Sequence, residues 1–185
     1  YSNQQKLKIH MDGARLWNAS VASNIPEAEI LKGFDSVSVC FSKGLGAPVG
    51  SVLAGSRDFI RESRRFRKLF GGAMRQSGII ATAALYALEN HRERLAEDHE
   101  NAKKLAFGLA EIPGIKLDPN DVETNIIFFR LEEMDAYEFT EILGKRSILV
   151  EAVEADLIRA VTNMMIESSD IPKLLSVIQK VMSGD

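Results

Sequence analysis

Residues 34–55, FDSVSVCFSKGLGAPVGSVLAG, decide the reading of the fold. Ser36–Cys40 alternates valine with small residues, the period-2 pattern of a strand, and residues 43–50 break it with three glycines and a proline that enforce a tight loop. SVLAG, residues 51–55, then reads as a second short strand. One residue stands apart. Lys43 sits among apolar, small and glycine residues, where an apolar strand excludes a lysine and a solvated loop surrounds it with more polar neighbours.

Upstream, KLKIHMDGARL (residues 6–16) reads as a strand running into a turn, and residues 14–33 carry apolar residues at helical spacing up to Gly33, a C-cap. Strand, helix, strand is the element order of an α/β unit. A strand so close to the first residue is expected of a chain cut from something longer. Downstream, Ser56 and Asp58 open a helix that carries Arg61, Arg64, Arg65, Arg67 and Lys68 and ends at Gly71-Gly72. Residues 77–112 read as strongly helical, first apolar nearly all round, as in a buried or subunit-contacting helix, then amphipathic. From Pro113 short strands (124–131, 147–152, 157–163) interleave with helices (135–146, 168–182). The expected organisation is residues 1–103 as part of a larger α/β domain with its connecting helix, and residues 104–185 as a small α+β domain.

With 185 residues, 45% hydrophobic and 26% charged, the chain can build one good core or two small ones. A net charge of -3 gives no electrostatic reason for nucleic acid or an anionic membrane to bind. No apolar run nears the roughly 18 residues of a membrane span and no signal-peptide core is visible, so a cytoplasmic or organelle-matrix setting is the default. Cys40 reads as a small hydrophobe, and one cysteine with three scattered histidines (His10, His91, His99) argues against a metal site.

Three residues carry candidate chemistry. Asp12 leaves an apolar strand ahead of a glycine: it is a turn or cap residue, or a buried carboxylate at a strand's carboxyl end, where open α/β sheets bind ligands. Lys43 precedes its glycines, whereas a nucleotide-binding loop places lysine after them. A lysine among small apolar residues loses hydration and becomes a nucleophile toward carbonyls, with the glycines leaving room for a bulky ligand. The bland alternative is a lysine snorkelling from a loop. Arg159 is a charge in an apolar strand, either on an edge facing water or aimed at a carboxylate as a bidentate donor. A carboxylate, a carbonyl-reactive lysine and a carboxylate-binding arginine together suit pyridoxal 5'-phosphate (PLP).

The motifs HMDGARLWNA (10–19), FDSVSVCFSKGLGAPVGS (34–51) and KLFGGAMRQSGIIATAALYAL (68–88) resemble those of the low-specificity L-threonine aldolases, PLP enzymes of fold type I, and VETNIIFF and IRAVTN correspond in order. The likeness spans nearly the whole chain but only the C-terminal half of such an enzyme. It implies part of a large, mainly parallel PLP-binding domain followed by a small α+β domain. It implies that Lys43 is catalytic and forms the covalent aldimine with PLP, that Asp12 keeps the ring nitrogen protonated, and that Arg15 contacts the ring's cofactor or substrate side. Arg159 would bind the substrate carboxylate, and Lys68 and Arg75 lie near the phosphate or the site. Lys68 and Arg75 equally suit a solvated basic helix face. The implied reaction is cleavage of L-threonine or L-allo-threonine to glycine and acetaldehyde in a homodimer or homotetramer. Ala73 replaces a common third glycine and Asn163 a common histidine. A truncated, inactive assembly module and another fold type I enzyme, such as an aminotransferase or β-eliminating lyase, are the alternatives.

Overall fold

The structure is a computed structural model and describes residues 7–184. It divides into two compact units, the first ending at Leu95 and the second running from Ala96.

In the first unit, β1 (His10–Gly13) lies parallel to β2 (Ser36–Cys40), and β3 (Ser51–Gly55) runs antiparallel on the far side of β2. Alternation along β2 sends Val37 and Val39 into a core with Leu16, Phe41, Leu45, Ala47, Ala87 and Leu95, while Ser36 and Ser38 face the other way. Parallel pairing needs a crossover, which α1 (Leu16–Ser23) and α2 (Glu27–Ile30) supply. The single helix expected over residues 14–33 is therefore two. Asn24 takes the left-handed conformation, at φ 55°, and Pro26 restricts Ile25 to extended backbone, so the helix stops although its apolar spacing continues. Gly33 does take a positive φ, 91°, but it is not the C-cap expected of it: α2 ends at Ile30 and Leu31 caps it.

Two further helices complete the unit. Helix α3 (Arg57–Leu69) starts where Ser56 accepts a hydrogen bond from the Phe59 N–H at 3.3 Å. Helix α4 (Gly78–His91) fully buries only Ala87, packs Ala84 and Leu88 partly against the core, and leaves Ile79, Leu85 and Tyr86 uncovered by the described residues. The continuous helix expected over residues 77–112 breaks at residues 92–94, and α5 (Leu95–Ala110) follows.

In the second unit a four-stranded antiparallel sheet has the order β4-β5-β7-β6, from β4 (Ile115–Lys116), β5 (Ile126–Leu131), β6 (Glu151–Ala152) and β7 (Leu157–Val161). Ile127, Phe129, Leu131, Ile158 and Ala160 point to one face and pack with α5, α6 (Ala136–Lys145) and α7 (Asp170–Ser183). Phe129 and Phe139 meet edge to face at 6.2 Å. Helix α6 begins at Asp135, whose carboxylate accepts the Tyr137 and Glu138 N–H groups. The opposite face, with Phe128, Arg130 and Arg159, is at least partly open to solvent.

Among the described residues, no helix is long and apolar enough to cross a membrane and no three His, Cys, Asp or Glu residues cluster as metal ligands.

Candidate functional site

Parallel pairing brings the carboxyl ends of β1 and β2 side by side, with Asp12 opposite Ser38 and Gly13 opposite Val39. Asp12 lies on the face away from the core, as do His10, Ser36 and Ser38, and His10 Nδ1 lies 2.8 Å from Ser36 Oγ. Asp12 is exposed, not buried. Its Oδ1 accepts the Ala14 N–H at 3.1 Å, the local turn bond expected of Asp before Gly. Its other oxygen has no hydrogen-bond partner among the described residues, so the carboxylate keeps an open acceptor. Gly13 permits the tight passage that follows, since a Cβ there would lie 2.9 Å from Val37 Cγ2 and 3.0 Å from the Ser38 carbonyl oxygen.

Lys43 follows β2 by three residues on the loop that leads to β3. Its side chain is exposed, so the desolvation expected from its apolar neighbours in sequence is not supplied by this unit. Those neighbours turn inward instead. Leu45 is fully buried and Phe41 and Ala47 nearly so, which leaves the lysine on a fixed backbone with a free end. The Lys43 carbonyl accepts the Gly46 N–H at 2.9 Å, and the Phe41 carbonyl accepts the Ala47 N–H at 2.9 Å. Trp17 donates its Nε1–H to the Cys40 carbonyl at 3.2 Å and stacks on Phe41. His91 Nδ1 lies 2.8 Å from the Leu45 carbonyl oxygen.

The glycines of the loop have a different use from the one expected. Gly44 does not leave room for a ligand: a Cβ there would lie 2.8 Å from Leu95 Cδ2 and 2.9 Å from Asn18 Oδ1. Gly46 and Gly50 hold positive φ values of 69° and 124°, which L side chains rarely adopt. All three serve the loop's own path.

Arg15 is half-buried at the start of α1. Lys68, near the end of α3, and Arg75, beyond it, are exposed, consistent with the solvated basic face weighed for both. Ala73 does not have positive φ, so the alanine needs no glycine there. Asn163 accepts the Met165 N–H at 3.0 Å.

Arg159 belongs to the second unit and is described there alone. It is not on an edge: β7 lies between β5 and β6, with Arg159 opposite Phe128 on one side and Glu151 on the other. Its guanidinium meets Glu151 Oε2 at 2.6 Å, and its buried Nε has no hydrogen-bond partner among the described residues. A buried guanidinium N–H without a partner is costly.

The sequence reading missed Glu151, Trp17, Asn18 and His91. Glu151 lies eight residues before Arg159 with a turn between, a spacing compatible with cross-strand pairing. The other three act through contacts that no local pattern announces. His99, left without a role, is buried, and burial with the nearby Lys103 charge lowers its pKa below the usual histidine value.

These groups fit PLP in kind: an exposed primary amine and a carboxylate with an open oxygen, at the carboxyl ends of two paired parallel strands. The beta-eliminating lyase family matches residues 1–132. Low-specificity L-threonine aldolase 1 of Arabidopsis thaliana is 44% identical over 179 residues, which cover 95% of this chain and 50% of the relative. The low specificity L-threonine aldolase of Escherichia coli K12 is 40% identical over 174 residues, covering 94% and 51%. A solved Listeria monocytogenes structure, provisionally described as an L-allo-threonine aldolase, superposes with a TM-score of 0.80 at 26% identity, covering 98% of this chain and 53% of its own. The chain spans about half the length of the curated relatives it matches.

Proposed function

The chain belongs to the beta-eliminating lyase family, and from that premise we propose that it forms part of a PLP-dependent carbon–carbon lyase that cleaves L-threonine or L-allo-threonine to glycine and acetaldehyde. The observation that carries the reading is the shared strand end, where Asp12 and the loop bearing Lys43 leave adjacent parallel strands. Ligands of open α/β sheets bind at this end of the strands. PLP, when bound, supplies an electron sink for the bond broken at the substrate α-carbon.

The protein's part follows from its own groups. Lys43 would hold the cofactor through Nζ and would be the amine that moves a proton at the substrate α-carbon. Asp12 uses its open oxygen to keep a proton on the ring nitrogen, which its negative charge favours. Arg15 lies two residues beyond Gly13 and contacts the ring or the substrate. Lys68 and Arg75 contribute positive charge toward the phosphate or the site. Arg159 binds the substrate carboxylate through its planar guanidinium, which Glu151 holds in place. The exposed apolar surface of α4 supports assembly as a homodimer or homotetramer.

The test is product analysis with borohydride fixation, carried out on the full-length protein with PLP. Glycine and acetaldehyde from threonine, and a cofactor fixed to the peptide containing Lys43, are expected. Lys43→Ala should abolish both. A keto acid product, or cofactor fixed at another lysine, sinks the proposal.

A further inference from the structure

We infer that His91 is a positioning residue for Lys43, acting through the backbone of the loop that carries it. The inference rests on the assignment of Lys43 as the cofactor lysine.

His91 is the last residue of α4, separated from the loop by 46 residues, and its Nδ1 meets the Leu45 carbonyl oxygen at 2.8 Å. A carbonyl oxygen only accepts, so Nδ1 carries the proton whatever the state of Nε2. The ring is held from the side by Tyr86, edge to face at 5.5 Å. Leu45 is two residues beyond Lys43 and shows no exposed surface, so its side chain and its carbonyl are both committed. Gly44, the residue between them, lies so close to Asn18 and Leu95 that a Cβ there would collide with both. The turn bond from the Gly46 N–H to the Lys43 carbonyl then passes this fixation to the lysine itself.

This arrangement suits a nucleophile whose side chain is free. The four-carbon stem of lysine is flexible, and a mobile backbone beneath it would add disorder at the reacting nitrogen. Placing reacting groups in a defined geometry is one of the larger contributions a protein makes to rate. His91 supplies a side-chain hydrogen bond to the loop beyond β2, while Trp17 binds the strand end at Cys40.

The experiment compares His91→Phe, His91→Gln and His91→Asn in the full-length protein. Asparagine can place an N–H near the position of Nδ1, whereas phenylalanine keeps a ring without a donor and glutamine places its amide near Nε2. The first readout, taken without cofactor, is amide hydrogen exchange at Gly46 and Ala47 against the β1–β2 ladder. The second is the rate at which added PLP becomes borohydride-fixable on Lys43. Loss of one net hydrogen bond predicts exchange in the loop faster by about fivefold to tenfold in the Phe and Gln variants. The ladder should stay unchanged, fixation should slow, and His91→Asn should recover both readouts. Unchanged loop exchange in the Phe and Gln variants overturns the inference, as does an equal rise in the ladder, which signals general destabilisation. Failure of the wild type to fix PLP on Lys43 refutes the Lys43 assignment alone, and the exchange measurement still decides whether His91 holds the loop.

Discussion

Gly44→Ala measures how tightly the lysine loop is held. The added methyl would lie 2.8 Å from Leu95 Cδ2 and 2.9 Å from Asn18 Oδ1, closer than side-chain carbons are found in real contacts. Neither neighbour can easily retreat, since Leu95 is 0% and Asn18 2% exposed. Overpacking of a filled site costs about 1–3 kcal/mol, and two immobile neighbours argue for the middle of that range or above, about 2 kcal/mol. For a unit of this size that corresponds to a Tm lowered by roughly 8–16 °C. The chain's single tryptophan, Trp17, stacks on Phe41 beside the loop, so its fluorescence during urea unfolding reports this unit. A double-mutant cycle sharpens the test. Leu95→Ala alone should cost about 2–5 kcal/mol by leaving a cavity, but in the Gly44→Ala background the new methyl occupies part of that space. The pair should therefore be more stable than the sum of the single effects by about 1 kcal/mol or more. Strict additivity, or a Gly44→Ala protein as stable as the parent, would refute the claim that the glycine exists to let the loop approach its own core.

Three other outcomes are expected. Trp17→Phe keeps a ring against Phe41 but removes the Nε1–H bond to Cys40, and should lose about 1 kcal/mol of stability in urea unfolding. Gly144→Ala, in α6 with nothing within 4 Å of the added methyl, should gain about 0.5–1 kcal/mol, read as a higher unfolding midpoint. Glu27 is pushed up by burial, but hydrogen bonds from Arg92, its own backbone and Ser20, with the Arg92 charge, outweigh this and hold the carboxyl below the usual glutamate value. A folded-state pKa below the unfolded one gives stability that is complete above the unfolded value and is lost as pH falls through the folded value. Acid titration of stability should therefore fall less steeply in Glu27→Gln, and an unchanged slope would contradict the pairing.

Much of the fold is local and was legible for that reason. Val37 and Val39 at period 2, glycine and proline at residues 44–50, and Ser56 before an amphipathic run each fix an element through neighbours in sequence. The helix boundaries at Asn24 and His91 were not legible, for opposite reasons. At Asn24 the stop signal, Pro26, was present but was overridden in the reading by apolar spacing that continues across it. At His91 the following residues, Arg92, Glu93 and Arg94, include good helix formers, so no local preference ends the helix. Around this end His91 reaches a loop 46 residues earlier and Arg92 reaches Glu27 and Ser20, contacts that no local pattern announces.

The same division runs through the candidate site. Asp12, Lys43 and Arg159 stand out because a charged group in an apolar or glycine-rich run needs a reason, and chemistry offers few. The purpose of the glycines around Lys43 was misread because a missing side chain in sequence says only that space is needed. It does not say what fills it. For Gly44 the occupants are Asn18 and Leu95, which leaves the lysine loop closely packed beneath an exposed amine. The role proposed for Lys43 would place two requirements on it, which call for different means. A fixed backbone comes from Leu45, His91, Trp17 and the turn at Gly46, all within the first unit. Exclusion of water from the amine does not come from that unit, so a reactive Lys43 needs a cover made by other residues or by the cofactor itself. The substitutions that slow the lysine by loosening its loop should therefore be separable from those that slow it by admitting water, because only the first kind changes amide exchange at Gly46 and Ala47.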